Sequence, residues 1–258
     1  MFNNCRCGTA MWSEILCRLP VRLLLQLRCL CKFFNTLISD SKFTKKHLHM
    51  STYRHHLILS SKDESHVMSY PLHCIFNSVT INANKLHFPF NKHYFSVVGS
   101  CDGILCLVSY RHPVILWNPS IRKFAKLPYL ENPIKGGCYT TYGFGYVPLT
   151  GNYKVVTVFN HVSGNGPNKA KLKVHTLGTN NWRTIEGDFP VGGYSSLIFV
   201  SSMLNWIVSS DPFYNVVSFN LVNESHQKLL PPNFGGEDVN DVILGVLLIL
   251  KFIGSKNL

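Results

Sequence analysis

Residues 20–38 of the chain read PVRLLLQLRCLCKFFNTLI. Apolar side chains recur here at alternating spacings of three and four, at Leu24, Leu27, Cys31, Phe34 and Ile38. This is the period of one face of an α-helix. Pro20 suits the opening of such a helix, because its missing N–H is one that the first turn leaves unpaired. The stretch therefore predicts one amphipathic helix whose stripe packs into its own small core.

A second apolar set lies off or beside this stripe, at Leu23, Leu25, Leu30, Phe33 and Leu37. A helix that is apolar around most of its circumference must be covered on more than one face, and a unit of about 40 residues has no interior deep enough to do this. We therefore expect a second covering surface, either the rest of the chain or another protein. Arg22, Arg28 and Lys32 would form the rim of that contact.

A shorter helix is predicted just before this stretch. Ser13 is a plausible N-cap, and Ile15, Leu16 and Leu19 share one side of the predicted helix. Pro20 ends it, because the residue before a proline is pushed out of the helical region.

Composition and charge narrow the class of protein. The 258 residues are 46% hydrophobic and 15% charged, which excludes a disordered chain and fits one or two domains. The net charge is +12, and the first 56 residues hold nine Lys or Arg against only Glu14 and Asp40. A basic end of this kind indicates an acidic partner.

Nine cysteines at irregular spacing do not resemble a secreted disulfide framework. Charges interrupt every apolar stretch near the start, so no signal peptide is expected. The apolar run Val242–Leu250 has nine residues, against about 20 for a membrane-spanning helix. The prediction is a reduced intracellular protein, cytoplasmic and/or nuclear, without a membrane partner.

Beyond residue 55 the apolar period changes to two, and short β-rich runs alternate with Gly, Asn and Pro turns. The predicted strands are Leu57–Ser60, Ile104–Val108, Val114–Trp117, Tyr153–Phe159, Lys171–Leu177, Leu197–Val200, Leu204–Val208 and Val216–Leu221. Three predicted hairpins repeat one pattern of buried strand, polar turn and outer strand, the outer strands being at Phe124–Pro128, Trp182–Ile185 and His226–Pro231. Repeats of about 40–50 residues with four short strands each suggest propeller blades, and a β-sandwich stays open as the alternative.

Several motifs carry a family resemblance. The segment from Glu14 to Phe43 closely resembles the F-box of plant F-box proteins. The stretches Gly99–Cys106, Leu116–Lys123, Tyr142–Tyr146, Tyr153–Val156 and Val174–Leu177 are similar to the F-box-associated, kelch-type domain of the same proteins. The resemblance implies an α+β chain, with a small helical F-box at 12–50 and an all-β, propeller-like and incomplete domain at 55–258.

The resemblance also implies a function without catalysis. It suggests the substrate-recognition subunit of a Skp–cullin–F-box ubiquitin ligase, whose F-box binds an acidic Skp-type adaptor, and through it a cullin, while the β-domain binds a target protein. The implied adaptor-facing positions are Leu16, Leu19, Pro20, Val21, Leu24, Leu25, Leu27, Cys31, Phe34 and Ile38. Candidate target-reading loops are Gly164–Asn168, Tyr129–Tyr139 and Val191–Ser195.

The chain departs from the family pattern in three places. Gly8–Trp12 stands where the family's F-box opens with Leu-Pro, Phe34 replaces the usual Trp, and the sequence after Leu244 does not resemble the family. These departures predict truncation at both ends. They keep open an alternative function, that of a truncated protein-binding module without a ligase partner.

Other functions find weaker support in the sequence. The Cys5-x-Cys7 and Cys29-x-Cys31 pairs lack the spacing of a zinc site, and His47, His49, His55 and His56 have no neighbouring ligands to complete a metal site. The glycine-rich stretches match no nucleotide-binding loop, and the basic residues form no nucleic-acid recognition motif. A hydrolase on a propeller scaffold rests only on fold analogy. We therefore predict no enzyme activity, no metal or other cofactor and no nucleic-acid partner.

Overall fold

A computed structural model of the chain describes residues 6–50, 56–60, 66–72, 75, 83–88, 95–109, 112–130, 138–161, 169–191, 197–210 and 213–229. The N-terminal region is helical and the remainder is built from strands. The four main helices are α1 (Arg6–Leu16), α2 (Val21–Arg28), α3 (Lys32–Ser39) and α4 (Ser41–Met50). None of the helices within these ranges has the length and apolar character that crossing a membrane requires.

The long helix predicted after Pro20 is two helices, so that prediction is wrong. The N–H groups of Cys29 and Leu30 bond back to the carbonyls of Gln26 and Leu27, both at 3.0 Å, which tightens the end of α2. Cys31 then takes an extended backbone with φ −157° and ψ 162°. Its side chain is exposed, so the prediction that it belongs to the core stripe is also wrong.

The preceding helix also differs from its prediction. α1 begins at Arg6, so Ser13 lies inside the helix and not at its N-cap. Pro20 stands immediately before α2 with φ −60° and ψ 147°, and its carbonyl accepts the N–H of Leu24. α1 already ends at Leu16, so the prediction that Pro20 ends this helix, with Leu19 on its apolar side, is wrong.

The strands form four antiparallel sheets, each with sequential strands side by side. Three of the described sheets have four strands and one has three. The strands of the first two are β1 (His56–Ser60), β2 (His66–Pro71), β3 (Asn84–His87), then β4 (Ser96–Cys101), β5 (Ile104–Ser109), β6 (His112–Asn118) and β7 (Lys123–Lys126). Those of the other two are β8 (Cys138–Val147), β9 (Asn152–His161), β10 (Lys169–Thr176), β11 (Arg183–Phe189), then β12 (Ile198–Val200), β13 (Met203–Ser210), β14 (Phe213–Asn220) and β15 (His226–Leu229).

This arrangement decides between the two predicted architectures. The described strands follow one another within each sheet, as in four propeller blades, and none of them is exchanged between sheets as in the Greek keys of a sandwich. All eight predicted strands are present. The three predicted hairpins are confirmed, with Trp117 opposite Phe124, Leu172 opposite Ile185 and Phe219 opposite His226.

The chain divides into two compact units, one comprising Met1–Val97 and Asp102–Lys126, the other Val98–Cys101 and Leu127–Leu258. In the first, Leu107, Ile115 and Trp117 form a buried cluster on which Ile58 and Leu86 of the β1–β3 sheet pack. In the second, Leu172, Leu204, Trp206 and Phe219 belong to one cluster shared by the β8–β11 and β12–β15 sheets.

Two glycines of the Tyr142–Tyr146 motif allow the close approach of the second pair of sheets. A Cβ atom at Gly143 would lie 2.8 Å from Leu197 Cβ, and one at Gly145 would collide with the ring of Phe199. These contacts leave no room for a side chain. The motif is therefore explained by blade packing.

Candidate functional site

The four helices and the connection between α1 and α2 enclose a small core. Its buried members are Leu16, Cys17, Leu24, Ile38 and Phe43, against which Leu19, Leu27, Phe34 and Leu37 pack. Asp40 positions α4 over this core, because its carboxylate accepts the N–H groups of Lys42 (2.8 Å) and Phe43 (3.2 Å) at the helix start. His47 adds a second link, with Nε2 2.9 Å from the carbonyl oxygen of Leu19.

Apolar side chains remain outside this core. We call five exposed residues of α1, α2, α3 and the α2–α3 turn the exposed F-box set, after the resemblance of this segment: Trp12, Ile15, Leu23, Leu30 and Phe33. Met11, Leu48 and Met50 of the helices are exposed as well. Leu30, in the turn between α2 and α3, is 70% exposed. The rings of Trp12 and Phe33 each contact the ring of Phe34 with centroids 5.4 Å apart, so these aromatic residues of α1 and α3 adjoin. Aromatic and large aliphatic groups in such positions are typical of protein-binding surfaces.

The ten predicted adaptor-facing residues fall into three groups according to their burial. Leu16, Leu24 and Ile38 are buried in the core. Leu19, Val21, Leu25, Leu27 and Phe34 are half-buried, whereas Pro20 and Cys31 are exposed. Their role in binding stays a prediction. The exposed F-box set lies outside those positions, and the signal for Leu23, Leu30 and Phe33 was their place off the helical stripe.

The charge around this set is positive. Arg22, Arg28 and Lys32 are exposed, and the sequence has no acidic residue between Glu14 and Asp40. The Nε of Arg28 donates to Asn35 Oδ1 at 3.2 Å, across the α2–α3 turn. The Lys46 ammonium hydrogen-bonds Glu14 and holds the pKa of that exposed carboxyl below its ordinary value. The two acidic residues of this region, Glu14 and Asp40, thus make contacts within the helical region. The basic side chains of the rim are exposed to solvent.

The second unit contains a partly buried ionic network, in which Lys154 is buried and Arg183 is exposed. Lys154 Nζ donates to the carbonyl oxygen of Leu221 (2.7 Å) and to Glu224 Oε1 (2.8 Å), and Arg183 donates to both oxygens of Glu224 at 2.6 Å. Burial raises the pKa of Glu224, but the hydrogen bonds and charges of Arg183 and Lys154 outweigh it and leave the pKa below its usual value. The network joins the β8–β11 sheet to the β14–β15 turn.

The contacts between these two sheets also show that their hairpin turns share one end. Ser202, in the β12–β13 turn, lies with Oγ 3.5 Å from the carbonyl oxygen of Tyr146, near the β8–β9 turn. The opposite end of the two sheets is therefore where β9, β11 and β13 finish. Strands β10, β12 and β14 start at that same end. The predicted target-reading loops fall largely on residues 131–137, 162–168 and 192–196, which lie outside the described residues.

No metal site assembles within the described ranges, where no three His, Cys, Asp or Glu side chains come together. His47 contacts the Leu19 carbonyl, while Nδ1 of His56 lies 2.8 Å from Ser69 Oγ. His175 is buried beside Trp182, and burial lowers its pKa despite the Thr179 carbonyl at its Nε2. These histidines serve separate local contacts.

Comparison with known proteins assigns the class of this molecule. Residues 9–46 match the F-box domain family, and residues 54–235 match the family described as F-box associated beta propeller domain. The chain therefore belongs to the F-box proteins that carry an F-box-associated β-propeller domain.

Curated relatives come from Arabidopsis thaliana. An F-box/kelch-repeat protein is 28% identical over 96% of this chain and 71% of its own length. A putative F-box protein is 30% identical over 85% of this chain and 59% of its own length, and an F-box/WD-40 repeat-containing protein is 28% identical over 90% and 57%. The chain thus spans between about three fifths and seven tenths of the length of these relatives.

Proposed function

We propose that this chain is the substrate-recognition subunit of a Skp–cullin–F-box ubiquitin ligase, acting in the cytoplasm and/or nucleus. The F-box at 12–50 would bind a Skp-type adaptor, and the β-domain at 55–258 would bind the target protein. The chemistry of ubiquitin transfer would belong to other subunits, so this chain would be a receptor and not an enzyme.

The observation that carries the proposal is the surplus of apolar side chains on the helices. Leu16, Leu24, Ile38 and Phe43 already fill the core, yet Leu23, Leu30 and Phe33 stay exposed. Burying such side chains against a partner stabilises the complex by about 1.5–3 kcal/mol each where burial is full. The surrounding Arg22, Arg28 and Lys32 would steer an acidic adaptor toward this surface.

The predicted adaptor-facing positions would contribute in two ways. Leu16, Leu24 and Ile38 would act from inside the core by holding the helices in place. The half-buried positions Leu19, Val21, Leu25, Leu27 and Phe34, together with exposed Pro20 and Cys31, would border the contact made by the exposed F-box set.

Binding of purified Skp adaptor to the full chain tests the proposal. Leu30→Asp should weaken binding at least tenfold, because it puts a charge where an apolar anchor is buried. Leu149→Asp is the matched control, since Leu149 is even more exposed than Leu30 but lies in the β8–β9 turn; it should bind like the wild type. Leu24→Asp is a poorer test, because Leu24 is a core residue and the variant would unfold the helices.

Failure of the wild-type chain to bind the adaptor would remove the ligase assignment. Equal loss with Leu30→Asp and Leu149→Asp would contradict the proposed surface.

We propose that the target protein contacts the end of the second unit where β9 ends and β10 begins. The opposite end carries short turns, one of which the Lys154–Glu224 contact holds to β9. Seven residues join β9 to β10 and eight join β11 to β12, and binding residues lie disproportionately on loops. Lys171 is exposed near the start of β10. Lys171→Glu should reduce capture of a bound target, whereas Leu149→Asp at the turn end should not; the reverse pattern would refute this placement.

A further inference from the structure

Strand β7 (Lys123–Lys126) forms an open edge of its sheet. Within the described part of the chain it is the last strand in the order β4-β5-β6-β7, and all four of its residues are exposed. The last strands of the other three sheets, β3, β11 and β15, each contain a half-buried or buried residue. On an edge strand, a row of backbone N–H and C=O groups is directed away from the sheet and can pair with an added strand.

The geometry of this edge is regular. β7 pairs with β6 in continuous register over four residues, whereas the pairing of β11 with β10 contains a register irregularity, a distortion that tends to protect an edge. The β6–β7 turn is held by Asn118, whose Oδ1 accepts the N–H of Ser120 at 3.1 Å and that of Ile121 at 3.4 Å. β7 is therefore held in an extended form, which lowers the ordering cost of pairing with a partner.

The charge of the edge indicates the chemistry of the partner. Arg122, Lys123 and Lys126 are exposed, and the sequence has no acidic residue between Asp102 and Glu131. An antiparallel second copy of β7 would place lysine opposite lysine, and like charges directly opposite each other are destabilising. An acidic strand would instead meet complementary charge.

Phe124 adds an apolar contact to this edge. Its side chain is exposed, and it lies opposite the buried Trp117 of β6. Because successive side chains of a strand alternate between faces, Phe124 and Lys126 share one face of the sheet, and Lys123 and Ala125 share the other. An antiparallel partner then needs an acidic residue opposite Lys126, an apolar residue opposite Phe124 and an acidic residue opposite Lys123.

We propose that β7 is a docking edge for an acidic, extended segment of another protein, which adds to the β4–β7 sheet as an antiparallel strand beside β7. The segment reads, from its N-terminus, acidic residue, any residue, apolar residue, acidic residue. Backbone hydrogen bonds supply affinity, and the two ion pairs with the apolar contact supply selectivity. This inference goes beyond the proposed function, because it needs no adaptor and uses other residues than the proposed target-binding end of the second unit.

The experiment measures binding of a fluorescein-labelled, capped peptide with the core Glu-Thr-Tyr-Asp to the purified full chain by fluorescence anisotropy. A second peptide has the charge-swapped core Lys-Thr-Tyr-Lys. Two further peptides keep the acidic core and carry an N-methyl group on the amide of either the Thr or the Tyr. Successive N–H groups of a strand point to opposite sides, so one of these two methyl groups blocks a hydrogen bond to β7.

The protein variants separate this edge from general surface charge. The double variant Lys123→Glu/Lys126→Glu reverses the charge of β7, and Phe124→Ala removes the apolar contact. Lys85→Glu/Lys228→Glu is the matched control, because it changes the net charge by the same amount at exposed lysines in the last strands of two other sheets. All five positions are exposed, and far-UV circular dichroism checks that each variant folds.

We expect the wild-type chain to bind the acidic peptide, and to bind it more weakly at high salt. Lys123→Glu/Lys126→Glu should lower this affinity about tenfold or more, and it should bind the charge-swapped peptide better than the wild type does. Phe124→Ala should lower the affinity up to about fivefold, and the control double variant should bind like the wild type. One of the two N-methylated peptides should lose binding.

Four results would overturn the inference. They are no binding of the acidic peptide to the wild-type chain, an affinity unchanged by Lys123→Glu/Lys126→Glu, an equal loss in the control double variant, and full binding of both N-methylated peptides. A dimer of the wild-type chain in sedimentation that is lost in Phe124→Ala would assign the edge to a second copy and overturn the inference as well. Adaptor binding is measured separately, so none of these results decides the proposed function.

Discussion

The F-box helices and the β8–β15 sheets distribute their apolar side chains in opposite ways. Among the described residues, the sheets share a cluster of fourteen buried side chains, including Leu172, Leu204 and Phe219 at 0% exposure. The helical core has five buried members, whereas eight large apolar residues of the helical region stay exposed, namely the exposed F-box set together with Met11, Leu48 and Met50. The sheets thus complete their own core, whereas the helices retain apolar surface that a partner can cover.

Ionic contacts follow the same division. In the Lys154–Glu224 pair the side chains are 10% and 15% exposed, and in the Lys46–Glu14 pair 37% and 57%. Removing one partner of a buried pair leaves an uncompensated charge in a poorly solvated place. An exposed pair is replaced by water at little cost. Loss of an ion pair should therefore lower the free energy of unfolding of the sheets and leave that of the helices almost unchanged.

The largest effect should come from the core of the second unit. Phe219→Ala removes a fully buried ring and should lower the free energy of unfolding by about 3–5 kcal/mol. Urea denaturation followed by tryptophan fluorescence measures this. Val222→Ala, at an exposed position in the following turn, is the control and should have almost no effect. A loss of unfolding free energy below about 1 kcal/mol for Phe219→Ala would contradict the conclusion that the β8–β15 sheets complete their own core.

A smaller effect should come from the buried ionic network. Glu224→Gln keeps the shape of the side chain but leaves Lys154 without a countercharge, and should cost about 2 kcal/mol at neutral pH. Because the pKa of Glu224 is lowered in the folded protein, its contribution is complete above the ordinary value of 4.5 and is lost as the pH falls through the folded value. Denaturation midpoints of both proteins at neutral and acidic pH measure this.

The pH dependence of the difference between the two midpoints separates two outcomes. The difference between wild type and Glu224→Gln should shrink in acid. A difference that stays constant or grows would show that the carboxylate charge does not stabilise the fold.

The smallest effect should come from the exposed pair. Glu14→Gln removes the charge that Lys46 contacts, and it should leave the midpoint of helix unfolding unchanged within error at physiological salt, because both groups are well solvated. Far-UV circular dichroism during denaturation measures this. A shift as large as that of Glu224→Gln would contradict the contrast between the two regions.

The sequence predicted the strands and hairpins that have strong two-residue alternation. Val216–Leu221 and its outer strand at His226 are examples. It missed β2 and β8. It also missed β3, because Asn84–His87 is polar and half-buried only at Leu86, and β4, which contains a glycine. Edge strands of this kind are held by pairing with their neighbours, which local pattern does not show.

The helical region shows where periodicity misleads. Leu24 and Ile38 are buried as the stripe predicts, yet the helix breaks at Cys31 because backbone conformation is not part of the pattern. α4 lies within the residues 12–50 predicted to be helical, but its bounds were not predicted, since Ser41–Met50 buries only Phe43. The exposed F-box set was partly foreseen, because Leu23, Leu30 and Phe33 exceed what one small core can hold. Trp12 and Ile15 become part of it only through α1, whose start at Arg6 was missed.

Hydrogen–deuterium exchange of the full chain with and without purified Skp adaptor tests the central claim most directly. Covering the exposed F-box set should slow exchange in α2, α3 and the turn between them, while strands β8–β15 exchange at unchanged rates. Protection that falls on those strands, or no protection of α2 and α3 at saturating adaptor, would contradict the account.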